Sequence, residues 1–292
     1  VDQSTQGTKA LLFDPSGKLI CRRDVAHEQK INSKGWVSHD PEEIYRNTVE
    51  SVRQVLEAAG IDAGAVAALG ISNQRETSVC WEKETGRPIA DAIVWQCGRA
   101  KELCKRVEDA GWSEAVRSAT GIPISPFFPA SKFAWLVENT PGAAEKAKEH
   151  KLCFGTIDAW LVYKLTGGRS YKTDYSNASR TQLFNIHTLQ WDEQVCAAFG
   201  LNPADLPEVA SSDAWFGMTD IGGVLPHEVP ICGVLGDSHA ALFGQGCLRS
   251  GMAKATYGTG SSIMMNIGIT PIESRNGLVT SLAWKFRGEV NY

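Results

Sequence analysis

Several features of membrane, secreted and nucleic-acid-binding proteins are missing from this chain. It contains no run of eighteen apolar residues and no secretory signal pattern. It has no block of lysine or arginine, and its formal net charge is −4 at pH 7, which argues against a surface that binds nucleic acid. We therefore expect no membrane segment and no nucleic-acid partner.

Patterns of cysteine or histidine that hold metals or form disulfides are absent too. The eight cysteines are scattered without a C-x-x-C pair, and the six histidines show no metal-ligand spacing. In a chain of this length, scattered cysteines are typical of reduced thiols in the cytoplasm. The sequence therefore predicts a cytoplasmic protein without a disulfide framework or a zinc site.

The composition that is present is that of a globular protein. Of 292 residues, 43% are hydrophobic and 21% are charged, which predicts one large domain or two ordinary ones. The first residue is Val1 rather than methionine, and residues 288–292 have a strand-like pattern. We expect the sequence to be part of a longer protein.

The functional interpretation centres on residues 231–241 (ICGVLGDSHAA). A short apolar strand ends at Gly236, and the carboxylate of Asp237 precedes a run of small residues typical of a helix. A carboxylate at a strand-to-helix junction is well placed to take a proton from a substrate hydroxyl. The alternative is a buried aspartate that caps the helix. For the neighbouring His239 we expect a packing role.

A glycine turn follows in residues 254–262 (KATYGTGSS), where Gly258 and Gly260 flank Thr259 after a strand-like run. Because no Cβ blocks them, backbone N–H groups in such a turn can approach phosphate oxygens. A base followed by a phosphate cradle suggests phosphoryl transfer to a hydroxyl. The alternative is an ordinary glycine turn.

The amino-terminal residues predict a meander of strands, with strands over residues 10–13 and 18–25. Its first turn contains Asp2, Thr5 and Gly7. An acid, hydroxyl groups and a glycine suit a site for a metal and phosphate, and the alternative is a surface hairpin loop. The elements predicted farther along are a helix between Asp40 and Gly60, strands over 66–72, 77–81, 92–95 and 151–154, and helices over 99–109, 113–118, 130–138 and 158–165. An amphipathic segment over 191–199 ends at Gly200.

Arg75, Glu76 and Trp95 lie at the carboxyl ends of predicted strands. Ligands of α/β sheets gather at these ends, so we expect the three side chains to cluster. Such a set suits a polyol, because charged groups fix its hydroxyls and an aromatic ring covers its carbon face. The alternative is a surface ion pair beside a core tryptophan.

Seven blocks, in order along the chain, resemble the FGGY family of carbohydrate kinases and, within it, the glycerol kinases. No single block is as specific as the ordered set. The blocks are residues 2–9 (DQSTQGTK), 35–43 (GWVSHDPEE), 71–77 (ISNQRET), 92–97 (AIVWQC), 173–186 (TDYSNASRTQLFNI), 236–246 (GDSHAALFGQG) and 251–260 (GMAKATYGTG).

This resemblance implies an α/β fold of the ribonuclease H-like type, as in actin-like ATPases, with mixed sheets and flanking helices. The family has two such domains and an active site in the cleft between them. Residues 1–249 would be the N-terminal domain, which carries the acceptor site and the base. Residues 250–292 would begin a truncated C-terminal ATP-binding domain, so the chain by itself is expected to be inactive.

The resemblance also implies roles for single residues. The expected chemistry is in-line transfer of the γ-phosphoryl group of ATP, with charge stabilised by Mg²⁺ and backbone donors. The implied residues are Asp237 for the general base; Asp2 for Mg²⁺, through water; Thr5, Gln6, Lys9, Gly258 and Thr259 for the ATP phosphates; and Arg75, Glu76, Trp95, Phe127, Asp237, Ser238 and Ser262 for the acceptor.

The chain departs from the glycerol kinase pattern in the acceptor pocket. Phe127 stands where that pattern has tyrosine, Ser238 where it has glutamine, and Ser262 where it has phenylalanine. Two large side chains become small, so we expect a four- or five-carbon polyol or ketose to be preferred over glycerol. In the first hairpin, Gln6 replaces a threonine and Lys9 replaces an arginine.

We therefore expect a cytoplasmic, ATP-dependent kinase of a small sugar or polyol that is similar to glycerol kinase. A xylulokinase, or another ketose or polyol kinase, is the alternative within the family. Outside it, a non-catalytic sugar-binding protein on the same fold is disfavoured by the retained Asp237. An actin- or chaperone-type ATPase is disfavoured by the acceptor residues. Formation of a homo-oligomer stays open.

Overall fold

The computed structural model describes residues 1–257 and 261–292. Six strands form the main sheet: β1 (Asp2–Gln3), β2 (Gly7–Phe13), β3 (Leu19–Ala26), β6 (Leu69–Asn73), β14 (Gly217–Thr219) and β15 (Val229–Gly236). Their spatial order is β14-β15-β6-β1-β2-β3. In the part of the chain that the structure describes, no helix is long and apolar enough to cross a bilayer.

The main sheet is mixed. Strands β1, β6 and β15 run parallel to one another, whereas β2, β3 and β14 each pair antiparallel with a neighbour. The meander of β1 to β3 follows the sequence-based prediction, except that β2 begins three residues earlier than expected and β3 is shifted by one residue. The mixed sheet, with helices on its flank, confirms the predicted α/β class.

Helices lie between the parallel strands of the main sheet, as such strands require, and one more follows its last strand. They are α1 (Pro41–Ala59), α2 (Lys101–Asp109), α3 (Ser113–Thr120), α4 (Pro129–Asn139), α5 (Ala143–Lys148), α6 (Ile157–Leu165), α7 (Tyr175–Ser179), α8 (Glu193–Ala198) and α9 (Asp237–Gly244). Helices α1 and α6 contact the main sheet, and α9 follows β15 directly.

Local sequence explains why α1 begins and ends where it does. The Asp40 side chain accepts a hydrogen bond from the backbone N–H of Glu42 at 2.9 Å, and Pro41 occupies the first turn. An N-cap of this kind contributes about 1 kcal/mol. Gly60 ends the helix with φ of 63°, a left-handed conformation that glycine adopts without steric cost.

A second, antiparallel sheet has the spatial order β4-β5-β8-β7-β9. Its strands are β4 (Lys30–Ile31), β5 (Val37–His39), β7 (Ser78–Glu82), β8 (Ala92–Ile93) and β9 (Leu152–Thr156). Among the described residues there are also four two-stranded pairs: β10 (Lys172–Asp174) with β13 (Glu208–Ala210), β11 (Phe184–Asn185) with β12 (Gln190–Trp191), β16 (Ala253–Thr256) with β17 (Ser262–Met265), and β18 (Trp284–Phe286) with β19 (Glu289–Asn291).

Strand β7 joins the two hydrophobic cores. Its alternate residues Val79 and Trp81 belong to the core between the main sheet, α1 and α6, while Cys80 belongs to the core around α2 and α4. The rings of Trp81 and Trp160 meet edge to face at 5.3 Å, and both side chains are fully buried. Full burial of a large apolar side chain stabilises a fold by about 1.5–3 kcal/mol, so these contacts hold the two sheets together.

Two helices were not predicted from the sequence. Helix α5 is short and rich in lysine and glutamate, and α7 is short and polar yet entirely buried. The Asp174 side chain caps α7 by accepting from the backbone N–H groups of Ser176 and Asn177. The predicted strand over 92–95 is shorter, because a turn bonds the N–H of Cys97 to the carbonyl of Val94.

Residues near the end of the chain pack back onto the first part. The backbone N–H of Thr280 donates to the carbonyl of Gly121, and the Tyr292 hydroxyl donates to the carbonyl of Ile186 at 2.7 Å. The backbone N–H of Leu282 donates to Ser179. The expected division at residue 249 stays a prediction, and the contacts show that the later residues share a surface with the earlier ones.

Candidate active site

Three parallel strands end at one edge of the main sheet. Their register places Asp2 of β1 and Leu235 of β15 on either side of Ser72 of β6. Two residues beyond Leu235 comes Asp237, after β15 has ended at Gly236. Strand pairing alone therefore brings Asp2 and Asp237 to the carboxyl-terminal edge of the sheet, where ligands of open α/β sheets bind.

Asp237 is the first residue of α9, and its side chain is 41% exposed. One carboxylate oxygen accepts from the backbone N–H of Ser238 at 2.6 Å and lies 3.2 Å from Nε of Arg75. Burial raises the pKa of Asp237 above its usual value, and the Arg75 guanidinium opposes that rise without cancelling it. A carboxylate that is accessible and more basic than usual suits a general base.

Gly236 makes room for Arg75. A Cβ at position 236 would lie 2.7 Å from Cγ of Arg75, well inside van der Waals contact. The backbone N–H of Gly236 donates to Oγ of Ser176 at 2.9 Å, so helix α7 helps to fix this strand end. The glycine is therefore needed for close approach, because its own φ of −61° is open to any residue.

Glu76 is buried, and its backbone has a left-handed conformation with φ of 60°. Its carboxylate accepts from Nε of Arg180 at 2.6 Å, and both side chains are at most 9% exposed. Burial opposes the ionisation of Glu76, yet the charges of Arg75 and Arg180 outweigh it and lower its pKa. Glu76 is therefore held as a carboxylate beside Arg75, and the shared role expected for the two residues stays a prediction.

The rings of Trp95 and Phe127 meet edge to face, with centroids 5.6 Å apart. The indole Nε1 of Trp95 donates to Oγ1 of Thr5 at 2.9 Å. Thr5 lies in the turn of the first hairpin, the segment expected to face phosphate. The structure thus links the expected acceptor wall directly to the expected phosphate-binding turn.

The first hairpin also carries Asp2 and Lys9, whose side chains form an ion pair at 2.8 Å. The Ser72 hydroxyl donates to the other oxygen of Asp2 at 3.1 Å, and both charged side chains are about one third exposed. Magnesium is usually held by one or two carboxylates together with substrate phosphates and water. The accessible carboxylate of Asp2, near Asp237, fits such an ion. Gln6 is exposed in the same turn.

Two more of the expected site residues lie on or near α9. Ser238 is half-buried in the first turn of α9, and Ser262 begins β17, a strand that contacts α9. Gly258 and Thr259 lie outside the described residues. His239 is fully buried, and burial holds its pKa well below the usual value, which is consistent with the expected packing role.

Sequence reasoning missed Arg180 and Lys132. Arg180 stood inside a polar stretch, where nothing marked it as the partner of Glu76. Lys132 lies on the buried face of α4 with Phe133 and Leu136, and a lysine on the apolar face of a predicted helix was a usable signal. A buried amide pair was missed too: Asn73 and Asn177 exchange side-chain hydrogen bonds at 2.9 and 3.0 Å.

The chain belongs to the FGGY family of carbohydrate kinases. The profile of this family, described as its N-terminal domain, matches residues 1–244. The chain is 49% identical over 292 residues to "Glycerol kinase 1" of Thermotoga maritima and 45% identical to "Glycerol kinase" of an Enterobacter species. All of the chain is covered in both cases, but only 59% and 58% of those proteins. The chain therefore spans less than two thirds of their length.

Solved structures show the same fold. The structure of Plasmodium falciparum glycerol kinase with ADP superposes with a TM-score of 0.93 at 35% identity, over all of this chain and 58% of that one. Xylulose kinase of Lactobacillus acidophilus superposes with a TM-score of 0.87 at 20% identity, over 99% of this chain and 57% of the other. The predicted ribonuclease H-like fold is confirmed.

Proposed function

We propose that the full-length protein transfers the γ-phosphoryl group of ATP to a hydroxyl of a small polyol or sugar, as a glycerol kinase-like enzyme. The observation that carries the proposal is the position of Asp237. Its half-exposed carboxylate lies at the edge where three parallel strands end, 3.2 Å from Arg75, which in turn lies beside Glu76. A base and a pair of opposite charges within one site suit the deprotonation and orientation of a polyhydroxy substrate.

Each side chain has a distinct part in this proposal. Asp237 accepts the proton of the attacking hydroxyl as the oxygen bonds to phosphorus. Arg75 and Glu76 bind the remaining hydroxyls as donor and acceptor, respectively. The ring of Trp95 covers the carbon side of the acceptor and excludes water from it. Because Glu76 is fixed by Arg180 and its backbone is constrained, the acceptor meets a preorganised surface.

The first hairpin supplies the phosphate side of the proposed reaction. Thr5 and Lys9 face the phosphates, with Gly258 and Thr259 expected on the opposite side of the cleft. A magnesium ion near Asp2, when bound, supplies positive charge to the phosphate oxygens. Lys9 would then exchange its contact with Asp2 for a phosphate oxygen, because a carboxylate that faces the ion no longer needs the ammonium group.

The test is a coupled assay of ADP release by the full-length protein with ATP, Mg²⁺ and glycerol. We expect turnover that depends on glycerol. Binding of a polyol without any turnover would favour the non-catalytic sugar-binding alternative. ATP hydrolysis that is independent of every polyol or sugar would favour an actin- or chaperone-type ATPase.

A longer acceptor is a second candidate, because Ser238 and Ser262 are small where large side chains stand in the glycerol kinase pattern. A four- or five-carbon polyol or ketose could fill that space and bond to the two hydroxyls, whereas glycerol would leave them to water. The curated relatives carry the name glycerol kinase, so glycerol is the reference. We expect a preference of about ten- to hundredfold in kcat/KM for erythritol, xylitol, ribulose or xylulose. A clear preference for glycerol would contradict this expectation.

We further propose a two-domain arrangement. Residues 1–249 form the acceptor domain with the base, and residues 250–292 begin the ATP-binding domain. The proposed partner is a small molecule, and the proposed location is the cytoplasm. Limited proteolysis of the full-length protein, with and without ATP, tests the boundary: a first cleavage far from residue 249 in both conditions would contradict it.

A further inference from the structure

Lys132 is a fully buried lysine that no step of the proposed reaction uses. It lies in the first turns of α4, on the face that packs into the core. Its Nζ donates to the backbone carbonyl of Trp95 at 3.3 Å and to that of Phe127. The same Nζ lies 6.0 Å from the centre of the Phe127 ring. One amino group therefore bridges the two segments that carry the aromatic wall of the candidate site.

The other polar contacts of Trp95 and Phe127 lead to other parts of the chain, as the indole of Trp95 does to Thr5. The backbone N–H of Trp95 donates to Oγ1 of Thr77 at 3.2 Å, and that of Phe127 donates to Oγ of Ser125 at 3.2 Å. Neither of these bonds links one aromatic residue to the other. The Lys132 amino group donates to the carbonyls of both residues. Among the hydrogen bonds of the described residues, it is the one that links Trp95 to Phe127.

The surroundings of Lys132 decide its charge. Glu76 faces it from the turn after β6, Cys97 and Arg99 from the segment after β8, and Cys104 from α2. Burial lowers the pKa of Lys132 to about 7, against the opposing effects of Glu76, Cys97 and Cys104. The protonated amine makes stronger, charge-assisted hydrogen bonds than the neutral amine.

We infer that Lys132 is a positioning residue for the acceptor: by holding the carbonyls of Trp95 and Phe127, it fixes the spacing and tilt of the two rings. The inference rests on the proposed function, because it assigns to these rings the carbon side of the acceptor. Lys132 does not touch the reacting atoms. Its loss therefore affects acceptor binding more than the chemical step.

The test compares Lys132→Met with wild type in the full-length protein, with glycerol and with the best longer acceptor. Methionine keeps an unbranched side chain but removes the donor. We expect the KM for the acceptor to rise about tenfold, because two partly buried carbonyls lose their donor. The kcat should stay within about threefold, and the KM for ATP should not change.

The matched control is Lys164→Met. Lys164 likewise lies on a helix, where it is partly buried, and it bonds to Glu42 at 2.8 Å, away from the candidate site. This control should lower thermal stability without raising the KM for the acceptor. An equal rise in KM for Lys164→Met, or a rise below twofold for Lys132→Met, would overturn the inference.

A pH series separates positioning from a merely structural role. The ratio of acceptor KM between Lys132→Met and wild type should be larger below about pH 7 than above it, since only the protonated amine makes charge-assisted bonds. A ratio that is independent of pH would contradict the inference.

If Lys132→Met does not melt cooperatively, Lys132→Gln replaces it. Its amide donates without charge, so an intermediate rise in KM is expected, and an unchanged KM would overturn the inference.

The two proposals fail in different ways. Wild-type protein that phosphorylates no polyol or sugar would overturn the proposed function and this inference with it. Wild-type turnover combined with an unchanged acceptor KM in Lys132→Met would overturn this inference alone.

Discussion

Replacement of Asp237 by asparagine removes a base while it preserves shape. The side-chain carbonyl of asparagine can still accept from the backbone N–H of Ser238, as the carboxylate does at 2.6 Å. What is lost is the negative charge 3.2 Å from Arg75 and the ability to take a proton. Because Arg75 keeps Glu76 beside it, we expect the acceptor to bind almost as well as in wild type.

The expected loss is in kcat, by about 10²–10⁴-fold for a general base. At about 1.36 kcal/mol for each factor of ten, this corresponds to about 3–5 kcal/mol of activation free energy. The pH dependence of kcat/KM provides a second, independent test of the base. Since burial raises the pKa of Asp237, the ionised base is lost at a higher pH than for an ordinary aspartate. In wild type, the acidic limb of the kcat/KM profile should therefore lie at a higher pH than an ordinary aspartate would give. In Asp237→Asn this limb should vanish.

The same pKa shift predicts the effect on stability. A carboxyl group whose pKa is higher in the folded than in the unfolded protein lowers stability where it is ionised. Asp237→Asn should therefore not lower the free energy of unfolding at neutral pH, so a loss of turnover cannot be assigned to unfolding.

The assay is ADP release by full-length Asp237→Asn, with Asp109→Asn as control. Asp109 is exposed at the end of α2 and pairs with Lys105, so the same chemical change at that position should leave kcat unaltered. Near-normal turnover by Asp237→Asn would refute the assignment of the base. An acidic limb that persists in the variant would show that another group controls it.

Three further predictions follow from the geometry of the site. Gly236→Ala should displace Arg75 and lower kcat/KM by about ten- to hundredfold. Gly233→Ala, whose Cβ would meet nothing closer than 3.9 Å, should leave kcat/KM unchanged, and equal effects of the two variants would contradict the steric argument. Arg180→Met should lower the free energy of unfolding by about 3–5 kcal/mol in urea titrations, because it strands a buried carboxylate, whereas Arg106→Met, which breaks an exposed pair, should cost less than about 1 kcal/mol. The 292-residue chain alone should bind ATP too weakly for calorimetry to detect, and micromolar affinity would show that the nucleotide site has been misplaced.

Local sequence patterns predicted most of the regular elements. Helix α1 was marked at both ends by Asp40, Pro41 and Gly60, and each of these acts in the structure as its chemistry requires. Helix α7 was not predictable in this way, because its stability comes from burial and from the Asp174 cap rather than from an apolar face. Helix propensity is weak beside tertiary contacts of this kind.

For the candidate site, the sequence by itself determined which side chains stand at strand ends: Asp237 after an apolar strand, and Arg75 and Glu76 after another. The resemblance of ordered blocks added the family, which the comparison with known proteins confirmed. The sequence could not show that β1, β6 and β15 are neighbours with Ser72 level with Asp2, because pairing between distant strands is a property of the folded sheet. That pairing is what places the carboxylates at one edge.

Only the tertiary structure determined which buried side chains hold the site residues in place. Glu76 meets Arg180 across 104 positions of sequence, and Lys132 reaches the carbonyl of Trp95 across 37. Local patterns carry no record of such partners, since a buried charge is defined by what surrounds it in space. The physical reason is desolvation: a charged group is tolerated in the interior only where the fold brings it a partner, and the fold, rather than the neighbouring residues in sequence, supplies that partner.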